Sequence, residues 1–287
     1  MTTRLLVAGD EAALEAFLVQ RRDTSMFLRA NSRQAGLDYH GQWAGAQYVA
    51  SVREGGITGV AAHCWNGVLL MQAPADPGGL AEACVGLSRR SVTGLMGPPD
   101  QVDAARTSLG LTSAPVRIDE PEALYALDLS RTIVPPALSN GEITCRAPYA
   151  GERTALHAWG FAYDVETLGA ADTPDARRRS ADFMDARIDA GNAWIAVEND
   201  GTLLSFSSFN AALPDIVQLG GIYTPPHLRG RGYAKAAVAH SLLVARERGV
   251  TRAILFTPNP SAARTYEAIG FERIGDYALV LFNEGRP

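Results

Sequence analysis

Cysteine is scarce in this chain. Cys64, Cys84 and Cys145 are an odd number at wide separation. That argues against a disulfide framework and a cysteine-based zinc site, and no metal is expected. Long apolar runs are also absent. No stretch reaches the roughly 20 residues that a membrane-spanning helix needs, and no basic segment followed by an apolar run opens the sequence. Neither a membrane partner nor a secretory leader is therefore expected, and a cytoplasmic protein is. Positive charge is in short supply as well. The 26 Lys and Arg stand against 31 Asp and Glu, for a formal net charge of -5. A nucleic-acid partner needs a concentrated basic face. The single basic run, Arg177-Arg178-Arg179, reads as a solvated helix face.

What remains is an ordinary globular mixture, 47% hydrophobic and 20% charged, over 287 residues, which is room for two domains. In the C-terminal half, short apolar runs at 192–197, 202–209 and 216–224 are separated by turn residues and read as a three-stranded meander. Pro225-Pro226 ends the third strand, since neither residue can donate to a ladder. Small apolar residues at helical spacing mark 234–248 as a helix closed by Gly249. A strand at 252–257, a helix at 261–269 and a strand at 277–282 follow. Amphipathic helices are expected upstream, at 152–168 and 175–190.

The N-terminal half has the same order. Strands at 46–52, 57–65 and 68–73 are joined by turns at Glu54-Gly55-Gly56 and Asn66-Gly67. A helix at 79–87, a strand at 92–96 and a helix at 101–109 come next. Ala104-Ala105-Arg106-Thr107 is echoed by Ala262-Ala263-Arg264-Thr265. The matched order of elements argues for an internal duplication. Linker chemistry around Pro135-Pro136 and Ser139-Asn140-Gly141 puts the boundary near 138 and the domains at 1–137 and 138–287. The expected fold class is α/β, with two copies of a mixed sheet.

One segment carries chemistry. Arg229-Gly230-Arg231-Gly232-Tyr233-Ala234 leads from a strand directly into a helix. Glycine turns the backbone with its N–H groups exposed, and the first helical turn adds donors that have no partner. Together these suit a pyrophosphate. No Gly-Lys-Ser/Thr follows, which excludes the Walker pattern, and the preceding meander does not fit a dinucleotide βαβ unit. Gly220-Gly221, inside a strand pattern, signals a bulge.

Arg229, Gly232 and Ala234 fill the Arg/Gln-x-x-Gly-x-Gly/Ala pattern, and Asn259, Tyr266 and Gly270-Phe271 follow at matching distance. On these residues the stretch from about 140 to 287 resembles the GNAT superfamily of N-acetyltransferases. The resemblance implies two tandem GNAT-like folds, an intact one after a degenerate one. It also implies acetyl-CoA, or another acyl-CoA, as co-substrate. By the same resemblance Ile222 and Thr224 offer backbone hydrogen bonds to the pantetheine arm, with Tyr223 between them also counted as cofactor-binding. Arg229, Gly230, Arg231, Gly232, Tyr233, Ala234 and Lys235 surround the pyrophosphate, and Asn259 bonds the cofactor near the pantetheine. Tyr266 is the implied general acid, with a packing tyrosine as the alternative.

The general base is open, because the strand before the cradle carries Gln218 where relatives carry a glutamate, and an amide takes no proton at neutral pH. Glu166 is the first candidate, its neighbours Val165 and Leu168 suggesting an apolar setting; Asp164, His157 and Asp215 are others. Transfer to an amine is the expected activity, and acyl-CoA binding in a sensor or regulatory module is the alternative. The N-terminal half has Pro74-Ala75-Asp76-Pro77-Gly78-Gly79 in place of the cradle, where Asp76 repels phosphate, and Ser108 or Leu109 where a tyrosine is expected. It is left to shape the acceptor pocket, form a homodimer contact or regulate.

Overall fold

The computed structural model describes residues 2–54 and 56–286; Gly55, in the first expected turn, lies outside them. In chain order the elements are β1 (Thr2–Leu5), α1 (Glu11–Leu18), α2 (Met26–Ala35), β2 (Ala46–Arg53), β3 (Gly56–Cys64), β4 (Val68–Gln72), α3 (Pro77–Ser88), β5 (Val92–Gly97), α4 (Pro99–Ser108) and β6 (Val116–Asp128). They continue with α5 (Pro136–Ser139), β7 (Thr144–Arg146), α6 (Arg153–Leu168), α7 (Pro174–Asp189), β8 (Ala193–Val197), β9 (Leu203–Ala212), β10 (Ile216–Tyr223), α8 (Tyr233–Glu247), β11 (Arg252–Thr257), α9 (Pro260–Glu267) and β12 (Glu272–Arg286). These form two compact units, residues 1–123 with 275–287, and residues 124–274.

In the first unit the strand order is β1-β2-β3-β4-β5-β12. The first three junctions are antiparallel, β4 runs parallel to β5, and β12 pairs antiparallel with β5 from Ala278↔Gly97 onward. Alternation along the strands divides the core in two. Leu69 and Met71 pack with Leu80, Ala81 and Cys84 of α3, while Leu70 and Tyr48 pack with Leu14, Leu18 and Leu28 of α1 and α2.

The second unit repeats the plan in the order β6-β11-β10-β9-β8-β7. β7 to β10 are antiparallel and β10 runs parallel to β11. Ile195 and Phe206 bury one face against Leu156 of α6 and Met184 of α7. Their neighbours Ala196 and Leu204 bury the other against Ala236 and Ala237 of α8. Small residues on α8 let it lie close to the sheet. Thr173 caps α7 through Ala176 N, and Pro174 occupies its first turn, where a missing N–H costs nothing.

The mixed sheets and the duplicated element order agree with the sequence reading, but the division differs. The units do not part near 138. From Leu124, β6 belongs to the second unit, and from residue 275, β12 belongs to the first. Proline chemistry at 135–136 marks a turn inside a unit. β12 is also much longer than the expected strand at 277–282, and β1, α1, β6 and β7 had no counterpart in the expected order.

Candidate functional site

The site lies in the second unit, where β10 leaves its neighbours. β10 pairs with β11 only over Ile216↔Arg252, Val217↔Ala253 and Gln218↔Ile254. Beyond Gln218 the two parallel strands share no register pair among the described residues, although both continue. On its other edge β10 is irregular twice. Asn210 is an extra residue in β9 between the pairs Gln218↔Ala211 and Leu219↔Phe209. Gly221 and Ile222 of β10 stand against Ser207 alone between Gly220↔Ser208 and Tyr223↔Phe206, one residue more than in β9. Gly221 takes φ +68, a left-handed value that suits glycine. Gly220 has a different reason to be glycine. A Cβ there would lie 1.9 Å from Nδ2 of Asn210, whose amide covers the backbone. The expected bulge is therefore present, and it coincides with the point where the strands separate.

The chain then passes through Pro225 and a 3-10 turn, Pro226–Leu228, into the glycine loop. Gly230 and Gly232 have φ +79 and +84, and nothing lies within 4 Å of a Cβ built on either. Gly232 is the N-cap of α8 and supplies no side-chain acceptor. A 15-residue helix thus presents its first N–H groups, and the positive end of its dipole, to open space. Arg231 and Gly232 are exposed, and Tyr233, Ala234 and Lys235 half-buried around them. This arrangement fits an anionic diphosphate. The equivalent place in the first unit does not. There Asp76 caps α3 by accepting from Gly79 N at 3.0 Å, and Pro77 removes a donor. The backbone N–H of Ala73 is taken by Oε1 of Gln101 at 2.6 Å. A Cβ on Gly97 would sit 2.8 Å from the Met71 carbonyl, so β4 and β5 stay together to their ends.

Arg229 is anchored rather than loose at the rim. Its Nε donates to Thr224 O at 2.9 Å and its Nη2 to Oε2 of Glu166 at 2.6 Å. The Tyr223 hydroxyl donates to Oε1 of the same carboxylate at 3.0 Å. Thr224 Oγ1 and Ser205 Oγ lie 2.8 Å apart, and Ser205 Oγ donates to Tyr223 O at 3.1 Å. Burial and the bond to Glu166 raise the Tyr223 phenol above its ordinary value. The apolar setting suggested for Glu166 is corrected here. Helical periodicity turns its side chain toward the loop, where a phenol and a guanidinium hold it half-exposed.

The other expected residues fall at α9, on α6 and on β10. Asn259 is exposed and caps α9, its Oδ1 accepting from Ser261 N at 2.8 Å and Ala262 N at 3.4 Å. Tyr266 of α9 is buried, edge-on to Phe271 with centroids 6.1 Å apart. Burial pushes its phenol up and Tyr163 of α6 adds to the shift, so the hydroxyl keeps its proton at neutral pH. His157 is tied to Asp185 at 2.9 Å, a carboxylate it shares with Arg153. Gln218 is buried, and its Oε1 has no partner among the described residues. Two residues without a sequence signal also belong here. Nη2 of Arg187, on α7, donates to Oδ1 of Asn210 at 2.7 Å, above the bulge.

Residues 157–271 match the model of the acetyltransferase (GNAT) family. An acetyltransferase of Agrobacterium fabrum is 43% identical over 54 residues, which are 19% of this chain and 39% of that protein. The uncharacterised N-acetyltransferase YjgM of Escherichia coli is 35% identical over 94 residues, 31% of this chain and 56% of that protein. The matches thus span from about two fifths to just over half the length of these curated relatives. A tandem GNAT protein from the clavulanic acid biosynthesis pathway has a similar fold over nearly its whole length, at 13% identity, with 97% of this chain and 98% of that one covered and a TM-score of 0.51. Residues 157–271 thus match the GNAT acetyltransferase family model, and the likeness to the tandem GNAT structure extends that fold to both units.

Proposed function

We propose that the second unit transfers an acetyl group from acetyl-CoA to an amine. The observation that supports this most is the separation of β10 from β11 after Gln218, which leads straight to the uncapped N-terminus of α8. An extended pantetheine arm needs unpaired strand backbone, and a diphosphate needs helix N–H groups in open space. Both lie here in the order that such a molecule requires.

Gly230 to Lys235 hold the diphosphate, and the freed backbone at Ile222 and Thr224 holds the arm. Acetyl-CoA supplies an activated carbonyl. The N–H of Ile222 stabilises the oxyanion that develops as the amine attacks. The C–N bond forms and the C–S bond breaks as the thiolate leaves; the amine's proton passes to Glu166, and sulfur gains a proton from solvent after the product has formed. Tyr266 donates a hydrogen bond to the departing thiolate. Its raised pKa makes complete proton transfer uphill: an ordinary phenol already stands about 1.5 units above a thiol, roughly 2 kcal/mol, so Tyr266 acts mainly by bonding the developing charge. Diphosphate binding draws Arg229 from Glu166 and leaves that carboxylate able to take the amine's proton.

Calorimetry with acetyl-CoA, together with release of free thiol in the presence of small amines, tests the proposal. Saturable binding with thiol release above background is the expected result. A second reading, binding without turnover, is favoured by Gln218, an amide at the strand position where a carboxylate would serve as base. Binding with no thiol release from any amine would select that second reading.

A further inference from the structure

Arg187 differs from the ion-paired arginines of the second unit. Arg146, Arg153, Arg177, Arg178 and Arg229 are each in an ion pair with a carboxylate. Arg187 forms none among the described residues. Its one hydrogen bond is to the amide oxygen of Asn210, and the Phe183 ring lies 6.0 Å from its Cζ. Its side chain keeps some access to solvent, yet the surrounding protein desolvates the guanidinium enough to lower its pKa, against the opposing influence of Tyr163 and Asp164. A guanidinium carries five donors in a planar fork, and a single amide oxygen leaves most of that capacity unused.

Its position gives the vacancy a meaning. A Cβ on Gly221 would lie 3.5 Å from Nη1 and 3.8 Å from Cζ of Arg187. The guanidinium therefore rests on the bulge itself, one residue before Ile222. Tyr163 acts electrostatically on both Arg187 and Tyr266, which links this group to the other end of the reaction centre. Asn210 fixes the fork. Its amide lies on Gly220 and accepts from Nη2, leaving Nε and Nη1 without a partner among the described residues. Arg187 also reaches the bulge from α7, on the sheet face opposite α8. That face lies away from α8, whose N-terminus is proposed to hold the diphosphate.

We infer that Arg187 is a specificity-determining residue that binds a carboxylate of the acceptor, so that the amine acetylated belongs to a compact amino acid-like molecule. Its closeness to the bulge requires the carboxylate to lie within a few bonds of the reacting nitrogen. A neutral amine lacking that group leaves the guanidinium unpaired and gains nothing from it.

The inference rests on the proposed acetyl transfer, and its test separates the two. Wild-type and Arg187→Gln proteins, both full-length, are first titrated with acetyl-CoA. If the wild type does not bind, the enclosing proposal fails, and this one with it. If both bind alike, thiol release is measured with amino acids, their carboxamides and the corresponding decarboxylated amines. N-acetyl amino acids and their amides are titrated in parallel against the CoA-loaded proteins. The expected result is a 10- to 100-fold preference in KM or Kd for the carboxylate series in the wild type, lost in Arg187→Gln. Arg187→Lys, which keeps the charge but not the fork, recovers part of the preference and guards against misfolding of the glutamine variant. An equal response of carboxylates and amides in the wild type, in both turnover and binding, overturns the inference. So does a preference that Arg187→Gln leaves intact. Selective use of succinyl-CoA over acetyl-CoA with neutral amines, abolished by Arg187→Gln, assigns the carboxylate to the acyl chain and likewise overturns it.

Discussion

Gly232 is where cofactor binding and local strain can be separated. Its φ of +84 costs a side-chain-bearing residue about 1–2 kcal/mol, but nothing lies within 4 Å of the added Cβ, so no clash accompanies the strain. Gly232→Ala should therefore fold and melt roughly 2–8 °C lower, at about 2–4 °C per kcal/mol. Gly232→Glu adds a carboxylate at the mouth of α8. One unit charge facing another at about 6 Å is worth roughly 0.7 kcal/mol in water and about 3 kcal/mol at the effective dielectric of a protein surface. The exposure of the loop favours the lower part of that range. Acetyl-CoA affinity is expected to fall a further 3- to 20-fold in Gly232→Glu beyond Gly232→Ala, measured by calorimetry at low salt. The difference between the two variants should shrink at 0.5 M salt, where a charge effect is screened and a strain effect is not. Equal affinities for the two variants at low salt would refute the placement of the diphosphate at this helix end.

Three further outcomes follow from the geometry. Tyr266→Phe should lower kcat 10- to 100-fold while acetyl-CoA affinity stays within about twofold, read by stopped-time thiol release; unchanged kcat leaves Tyr266 a packing residue. Glu166→Gln removes an exposed pair with Arg229 and should cost less than about 1 kcal/mol in a urea titration, yet reduce kcat at least tenfold if that carboxylate takes the amine's proton. His63 of the first unit is buried, bonded to Ser88 Oγ at 2.7 Å and Ser91 O at 3.3 Å, and burial together with the nearby Arg90 lowers its pKa to about 4. Since the folded value lies below the ordinary 6.5, the unfolded chain gains the proton first. The stabilisation is complete above pH 7 and is lost as pH falls from 6.5 toward 4, amounting to about 2 kcal/mol at pH 5. A urea midpoint for the first unit that does not move between pH 7.5 and 5, or that moves equally in His63→Gln, contradicts this.

The sequence displayed the elements that carry local signals. Gly220-Gly221 inside an apolar strand, Gly230 and Gly232 before a helix, and the small-residue face of α8 each announce a backbone requirement from within a few residues. The site's side-chain partners carry no such signal. Glu166 and Arg229 are 63 residues apart, and their pairing depends on how α6 crosses the end of β10. Arg187 reads as one more basic residue near a helix C-terminus until Asn210 is found 23 residues on, folded over a glycine. Gly220 itself would have been explained as a bulge alone, whereas its contact with Asn210 is tertiary. β6 escaped notice because its first half is studded with charges and interrupted by Pro121, and only Leu124 to Leu127 are buried. β1 is exposed along its whole length and shows no alternation to read.

The ownership of β6 and β12 has a consequence for how the protein is made. The first unit recruits its last strand, β12, from beyond the whole of the second unit in the chain, whereas the second unit is one continuous segment. During synthesis from the N-terminus, the edge of β5 has no partner until residues 278–286 have been made, after every residue of the second unit. An unpaired strand edge is an invitation to wrong partners. The first unit, although first made, is the last to be sealed, and no single cut in the chain yields two complete halves. Separating the units by one cut therefore leaves the first without the strand that covers β5.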